Sequence, residues 1–484
     1  MKEFSIFLII FLSSYLNIYS QKKINVPEDL SSIQEAINYA STGDTILVQP
    51  GTYEENLDFN GKRILLSSLI LTSDDTSYIS KTIVDGMSNG SVVKFSNGEN
   101  ESAIINGFTL VNGSGYPFIN FNDTLFQGGG IFSKDASPTI LNLKIMSNSA
   151  DEGAGIYLLR SDSFLNSIKL ENNSAYKKGG GLYCRSGSPR ITHSKILKNS
   201  SNEGGGIYIS SGEPLFKKVN ISGNTAVLNG AAIFFFHGRE SKFINNTISQ
   251  NNVLENSNGG SIYSFHSFPI FTNCIIWQNG PNEFDIIQSF TNFSELYFYY
   301  SDIRQDISYI SGVATLTIYP SYCISEDPLF IEPEFLNFNL NKKSPCIDIG
   351  DPDLNNNGLS WEHDEEDRDP DGTRFDLGAY YFNQAITSLS NSFNNYPYNF
   401  ELYQNYPNPF NPSTIIEYSI PKNCFVQLDV YNLLGERVTS LVKAEQNPST
   451  YTVKFNSTTI PSGLYIYRLK AGNFVNEKKM MYLK

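Results

Sequence analysis

The sequence predicts an all-β protein, a parallel β-helix solenoid followed by a small β-sandwich. Three observations carry this. A glycine-rich phrase closing on an aromatic residue recurs at Phe132, Tyr157, Tyr183, Tyr208, Phe234 and Tyr263, in steps of 25, 26, 25, 26 and 29 residues. A fixed period in the twenties marks a stack of identical chain turns. Inside each unit the apolar residues are short and β-type, as at Ile191, Ile196, Ile207 and Ile209, with no stripe at helical spacing. Glycine would also weaken a helix, and the leucine and asparagine pattern of leucine-rich repeats is missing. Finally, the last 80 or so residues alternate apolar with polar in runs separated by turn formers.

Taken in order, the chain opens with Met1-Lys-Glu3, an apolar run from Ile6 to Leu12, then small and polar residues to Ser20-Gln21. Residues 1–20 read as a secretory signal peptide, because the apolar run is far shorter than the roughly 20 residues of a membrane-spanning helix. Residues 28–40 are the one helix expected, with Ile33, Ala36, Ile37 and Ala40 on one face and Asp29 or Ser31 as its cap. Such a helix would cover the open end of a strand stack. Thr45 to Val48 and Pro50 to Tyr53 begin the rungs, which continue through Ile64 to Leu66, Ile83-Val84 and Ile104 to Leu110.

Within the repeats, Ile131, Ile156, Leu182, Ile207, Ile233 and Ile262 are expected to point inward. Ile145, Ile168, Ile196, Ile221, Ile248 and Ile275 form a second inward set. The aromatic column beside them can face either way, depending on the turns. Asn148, Asn173, Asn199 and Asn224 recur at a bend, where asparagine side chains bond to neighbouring backbone.

Ser32-Ile-Gln-Glu-Ala-Ile37, Gly43-Asp-Thr-Ile-Leu-Val48 and Pro50-Gly-Thr-Tyr-Glu54 resemble the opening of the right-handed parallel β-helix, pectin-lyase-like superfamily. Ile105-Asn-Gly-Phe-Thr-Leu110 resembles its usual rung phrase. The resemblance spans residues 24–382 and implies a right-handed coil over 22–382. It implies no single activity, since the superfamily holds lyases, hydrolases, esterases and adhesins.

Residues 280–322 break the period. A closing segment, 326–382, resembles the one often found after such repeats and contains the most acidic run of the chain. Its dense oxygen donors, Asp351, Asp353, Asp369 and Asp371 among them, are candidate calcium ligands, though their spacing is not that of an EF-hand loop. The bland alternative is a solvated acidic loop. Residues 383–400 read as a linker. In 401–484, strands are expected at Thr414 to Ile420, Phe425 to Tyr431, Tyr451 to Phe455, Gly463 to Leu469 and Lys479 to Tyr482, forming an Ig-like sandwich. Asn405-Tyr-Pro-Asn-Pro-Phe-Asn-Pro-Ser-Thr414, Tyr431-Asn-Leu-Leu-Gly-Glu436, Pro461-Ser-Gly-Leu-Tyr465 and Lys478-Lys479 resemble the type A C-terminal sorting domain of the type IX secretion system. This implies handling by that machinery and release or attachment at the bacterial outer cell surface.

A net charge of −14 argues against a protein that works by neutralising nucleic-acid phosphates. The five cysteines, Cys184, Cys274, Cys323, Cys346 and Cys424, show no disulfide spacing, and the period places Cys184 inward with Leu158 and Ile209. For chemistry, the residues after the aromatic column, Lys134, Arg160, Ser186, Ser211, His237 and His266, read as one outward strip with Arg185 and Arg239 nearby. Lys134, Arg160, Arg185, His237, Arg239 and His266 are the candidate ligand-binding residues for an anionic polysaccharide, and His237 is the candidate for a base. No stacked carboxylates in the regular rungs accompany the strip, as a glycosidase would need. The sequence therefore reads as a glycan-binding, adhesive or structural surface protein, leaning away from an enzyme. The rival reading is an extracellular polysaccharide lyase or glycoside hydrolase.

Overall fold

The computed structural model describes residues 22–73, 75–120, 123–254, 260–280, 282–287, 294–304, 315–318, 322–384, 400–405, 408, 410–432, 435–456, 460–472 and 474–482. The expected signal peptide, most of the linker and much of 280–322 lie outside these residues. The chain divides into two compact units, Met1–Asn383 and Gln384–Lys484.

The first unit is a solenoid of parallel strands. Sheet A runs from Lys23–Val26 to Thr315–Ile318 in twelve strands, and sheet B from Gly51–Glu54 to Asp302–Ile303 in ten. Sheet C runs from Leu57–Asp58 to Asn282–Ile287 in nine strands. A seven-stranded sheet D, from Tyr116–Asn120 to Asn252–Val253, is inserted between B and C, and only its first hairpin is antiparallel. Each strand bonds its counterpart one turn away, so a side chain's column is fixed by register.

The expected inward column holds: Ile131, Ile156, Leu182, Ile207, Ile233 and Ile262 pair in sequence and are fully buried in one core. Each such side chain contributes about 1.5–3 kcal/mol. The second set needs two corrections. Ile145 pairs with Leu170 rather than Ile168, and Ile248 with Ile276 rather than Ile275. Every corner carries its left-handed residue at the same place, as at Asn142, Ser167 and His193, so the offset follows the length of each turn: Leu170 comes 25 residues after Ile145, and Ile276 comes 28 after Ile248. Ile168 is still inside, two positions earlier, whereas Ile275 faces outward in a separate cluster with Leu340, Cys346 and Leu377. Cys184 stands between Leu158 and Ile209, buried as expected, and no disulfide forms.

The aromatic column turns outward yet is covered. Phe132, Tyr157, Tyr183, Tyr208, Phe234 and Tyr263 form their own buried cluster, with neighbouring ring centroids 4.2–5.8 Å apart. Polar side chains of sheet D close over it: Gln127 Nε2 donates to Tyr157 Oη (3.1 Å), and the Lys178 ammonium lies 4.9 Å from the Tyr208 ring. Burial pushes the Tyr157 hydroxyl up to about 12. The glycine phrase makes this layer possible, since a Cβ on Gly205 would meet the Thr225 carbonyl oxygen at 2.1 Å.

The recurring asparagines form a ladder longer than the sequence suggests, continuing to Asn251 and Asn279. Nδ2 of each donates to Oδ1 of the next at 2.8–3.0 Å. The same Nδ2 groups also donate to strand carbonyls, as Asn199 does to Leu170 O at 3.0 Å. Buried amides whose donors and acceptor all find partners fix the rung register.

The expected helix spans Ile33–Tyr39, shorter than predicted. Its cap is Ser32, which accepts from Glu35 N (3.1 Å), rather than Asp29 or Ser31. Asp29 instead accepts from Asn25 N. Ile33, Ala36 and Ile37 bury into the solenoid core.

The acidic closing segment does not extend the stack. It folds back as a strap over the outer face of late sheet B and the A–B corner. Gly378 N donates to Asn273 O (2.8 Å), Asn245 Nδ2 to Asp376 O (2.9 Å), and Ala379 N to Thr247 Oγ1 (3.0 Å). Lys218 Nζ faces Asp369 at 3.9 Å.

The C-terminal unit has a three-stranded and a four-stranded antiparallel sheet around one core that includes Tyr418, Val430, Tyr467 and Leu469. The asparagines of its opening motif lace it together. Asn405 Nδ2 donates to Thr414 Oγ1 (2.9 Å), and Asn408 Oδ1 accepts from Met481 N (2.8 Å) in the last strand.

Candidate ligand-binding groove

The groove forms where sheet C hands the chain to sheet A. Each rung leaves sheet C through a left-handed residue: Asp135, Arg160, Ser186, Ser211, His237 and His266, with φ between 49° and 57°. Such a backbone costs a non-glycine residue about 1 kcal/mol and turns the chain sharply. Next comes a small residue, Gly187, Gly212 or Gly238 in the middle rungs. A Cβ on Gly212 would lie 2.3 Å from the Gly187 carbonyl oxygen, so neighbouring rungs touch here and form a low floor. The third residue then rises as a wall: Asp162, Ser188, Glu213, Arg239 or Phe268. The Arg239 rung carries one extra residue, Glu240, before Ser241 N closes onto Arg239 O (2.9 Å). The result is a groove of about 850 Å³ lined by these residues together with Ser186, Ser211, His237 and His266.

The two histidines occupy adjacent rungs, ring centroids 5.1 Å apart and tilted by 52°. His237 sets its edge against Phe236 and Phe265, and Phe268 lies 6.3 Å from His266. His266 Nδ1 is buried without a hydrogen-bond partner. Arg239 is 81% exposed and only loosely held, 3.7 Å from Glu213. Asp162 Oδ1 accepts from Ser188 N (2.7 Å), which bridges two rungs of the wall.

Of the six predicted ligand residues, His237, Arg239 and His266 come together here. Lys134 does not. It pairs with Leu159, and Asp135 holds the position in register with Arg160. The Lys134 ammonium lies 5.7 Å from the Phe118 ring instead. Arg160 is occupied by two hydrogen bonds to Asp135 (2.5 and 2.7 Å), which hold the Asp135 carboxyl below its usual range. Arg185 turns back to the Tyr157 hydroxyl. Sequence reading missed Asp162, Glu213 and Glu240, because carboxylates were sought in the regular rungs and these sit in the turn beyond. The signal was present in the recurring Gly-Ser-Pro189, Gly-Glu-Pro214 and Ser-Phe-Pro269.

The four candidate calcium ligands are not gathered. Asp351 and Asp353 cap their own loop, accepting from Asp353 N (3.1 Å) and from Asn357 N and Gly358 N (both 3.0 Å). Asp369 accepts from Asp376 N (2.7 Å), and Asp371 accepts from the Thr373 hydroxyl (2.8 Å). Among the described residues no group of three or more His, Cys, Asp or Glu could hold a metal ion. Dense acidic sequence here closes turns.

Comparison with known proteins agrees with this architecture. Residues 68–248 and 129–298 match the right handed beta helix region, and residues 404–482 match the secretion system C-terminal sorting domain. Among solved structures, a pectin methylesterase mutant in complex with a hexasaccharide is similar at 11% identity, covering 60% of this chain and 81% of its own, with a TM-score of 0.26. That likeness is too slight to bear on function. A search of curated proteins finds no match. Among the described residues no helix is long and apolar enough to cross a membrane. The sorting tail marks the chain for type IX secretion and attachment at the outer cell surface. The protein is a right-handed parallel β-helix carrying a secretion system C-terminal sorting domain.

Proposed function

We propose that the solenoid is a glycan-binding module displayed at the cell surface, with the groove between sheets C and A as its site. The observation that supports this reading is the groove itself, where an aromatic ring, two imidazoles, a loosely held guanidinium and serine hydroxyls share one concave wall. Sugar recognition needs that mixture, a ring face for apolar C–H groups and convergent polar groups for hydroxyls. Rungs bonded on both sides hold these groups rigidly, which lowers the entropic cost of binding. The test is affinity for a panel of neutral and uronate oligosaccharides. A His237→Ala, Arg239→Ala, Phe268→Ala variant is expected to bind about tenfold or more weakly, since buried aromatic and Arg contacts dominate interfaces. Unchanged affinity would exclude the groove.

The carboxylates of Asp162, Glu213 and Glu240 in the same wall favour a second reading, hydrolysis of the bound glycan. New reducing ends that disappear in Glu213→Gln and Glu240→Gln variants would establish it.

For export, removal of residues 401–484 is expected to leave the solenoid in the periplasm. Cell-surface protease accessibility of the truncated chain checks this, and normal display would overturn it.

A further inference from the structure

The outer face of sheet B is covered at both ends and bare between. At its start, Thr109 lies beneath the short helix Ser77–Lys81 and donates to Ile79 O (2.6 Å). From the fifth of these rungs onward the same column reads Asn220, Thr247, Ile275 and Asp302, all buried along the strap side. Three rungs stay open, and each places a lysine in that column. Thr109 pairs with Lys144, Lys144 with Lys169, Lys169 with Lys195, and Lys195 with Asn220. Tyr380 of the strap marks the far edge: its ring lies 5.6 Å from Lys195 Nζ, and its hydroxyl accepts from Asn220 Nδ2 (3.2 Å).

Internal contacts account for only part of this array. Like charges directly opposed on neighbouring strands are destabilising, and rungs about 4.8 Å apart leave three ammonium groups close together. Glu171 pairs with Lys169 (2.7 Å), but among the described residues no carboxylate lies within 4 Å of Lys144 or Lys195. The chain's negative charge is elsewhere: residues 326–382 hold 15 of the 49 Asp and Glu but 4 of the 35 Lys and Arg. The open rungs are thus a positive strip on an otherwise acidic protein.

We propose that this window binds a linear anionic polysaccharide lying along the solenoid axis, with carboxylates or sulfates of successive sugars meeting successive lysines. Charge complementarity and spacing favour that occupant. A DNA duplex presents one charge per roughly 1.7 Å, far denser than one lysine per rung. The outward neighbours Met146, Glu171 and Leu197 offer no ring on which a base could stack. The window lies on a different sheet from the groove and does not depend on it.

The experiment uses the chain 22–484 with dextran sulfate and an oligouronate as probes, and with neutral dextran and a single-stranded DNA oligonucleotide as controls. Both anionic glycans are expected to bind with an affinity that falls as salt rises. The triple variant Lys144→Gln, Lys169→Gln, Lys195→Gln should lose about tenfold or more of that affinity, while the groove variant retains it. Lysine acetylation footprinting of the unaltered chain supplies a readout independent of variant folding, and the three lysines should be protected by the glycan. Equal modification with and without glycan would overturn the proposal. So would a triple variant that melts normally and binds within twofold. Equal affinity for the oligonucleotide, lost in the same variant, would overturn the polysaccharide assignment.

Discussion

Replacing Asn199 with alanine is expected to destabilise the solenoid by about 3 kcal/mol or more, the sum of several buried groups each left unmade at about 1–3 kcal/mol. The side chain is fully buried in the middle of the ladder. Its Oδ1 accepts from both Asn173 N and Asn173 Nδ2 (3.0 Å each). Its Nδ2 donates to Leu170 O and Asn224 Oδ1 (3.0 Å each). Alanine therefore strips a partner from atoms on both neighbouring rungs, at a depth where water does not readily replace them. Because each ladder amide polarises the next, the loss should exceed that of one isolated bond. Asn166 provides the control, since it makes one part-buried bond to Thr192 Oγ1 (2.9 Å) and its alanine variant should cost about 1 kcal/mol or less. Urea unfolding of both variants measures the difference. Equal, small losses would mean that the ladder is decoration on a stack held by its apolar shaft alone.

The same ladder indicates what the sequence makes legible. Ile131, Ile156 and Leu182 announce the period because every rung must bury an apolar residue at the same place, and Asn148 to Asn224 recur because every rung has the same bend. What repeats for a physical reason can be read. The register could not be read to the residue. Lys134 stands two residues after its aromatic and Arg160 three after its own, so they fall in different columns, and turn length puts Leu170 and Ile276 where Ile168 and Ile275 were expected. Phe216, Phe243, Phe271 and Phe298 form a second stacked column inside the shaft, with centroids 4.7–4.9 Å apart, and the eye passes over it because it starts late. His237 and His266 reach the groove from the αL corner position, and Arg239 reaches it from the wall two residues further on. Its acids were missed because the wall varies from rung to rung. The strap is the extreme case: its placement rests on backbone bonds such as Gly378 N to Asn273 O, which leave no pattern in side-chain type.

Stability is expected to fall as pH rises from 5 to 8, opposite to the usual behaviour of a protein held by exposed carboxylates. The groups responsible are buried where the strap meets the solenoid, Asp302 on sheet B and Asp369 and Asp376 in the strap itself. Burial pushes Asp302 and Asp376 up to about 7, and Asp369 up to about 6. Asp302 faces the Cys346 thiol (3.2 Å), itself pushed up by burial, with Glu326 and Asp327 adding negative charge nearby. Asp376 faces Asp369 and Asp348, and Asp369 faces Asp371, Asp348 and the Lys218 ammonium. The hydrogen bond from Asp376 N, and then the Lys218 ammonium, itself pushed down by burial, offset part of the rise at Asp369.

A carboxyl whose folded value lies above its unfolded one holds its proton more tightly when folded. Its contribution to stability is complete below about pH 4 and is lost as pH rises through about 6 to 7. For Asp302, raised from the ordinary 3.8 to about 7, the loss amounts to at most about 4 kcal/mol. Asp302→Asn should therefore be stabilising by a clearly smaller margin at pH 5 than at pH 8. An amide keeps an acceptor for Glu326 N, which now bonds Oδ1 (3.2 Å), and carries no charge to desolvate. Thermal unfolding of both proteins across this range decides the matter. If the two melting curves shift in parallel with pH, Asp302 is not a source of the slope. If neither shifts at all, the strap's carboxylates are ionised and solvated, and the buried contacts to Cys346 and Lys218 do not hold in solution.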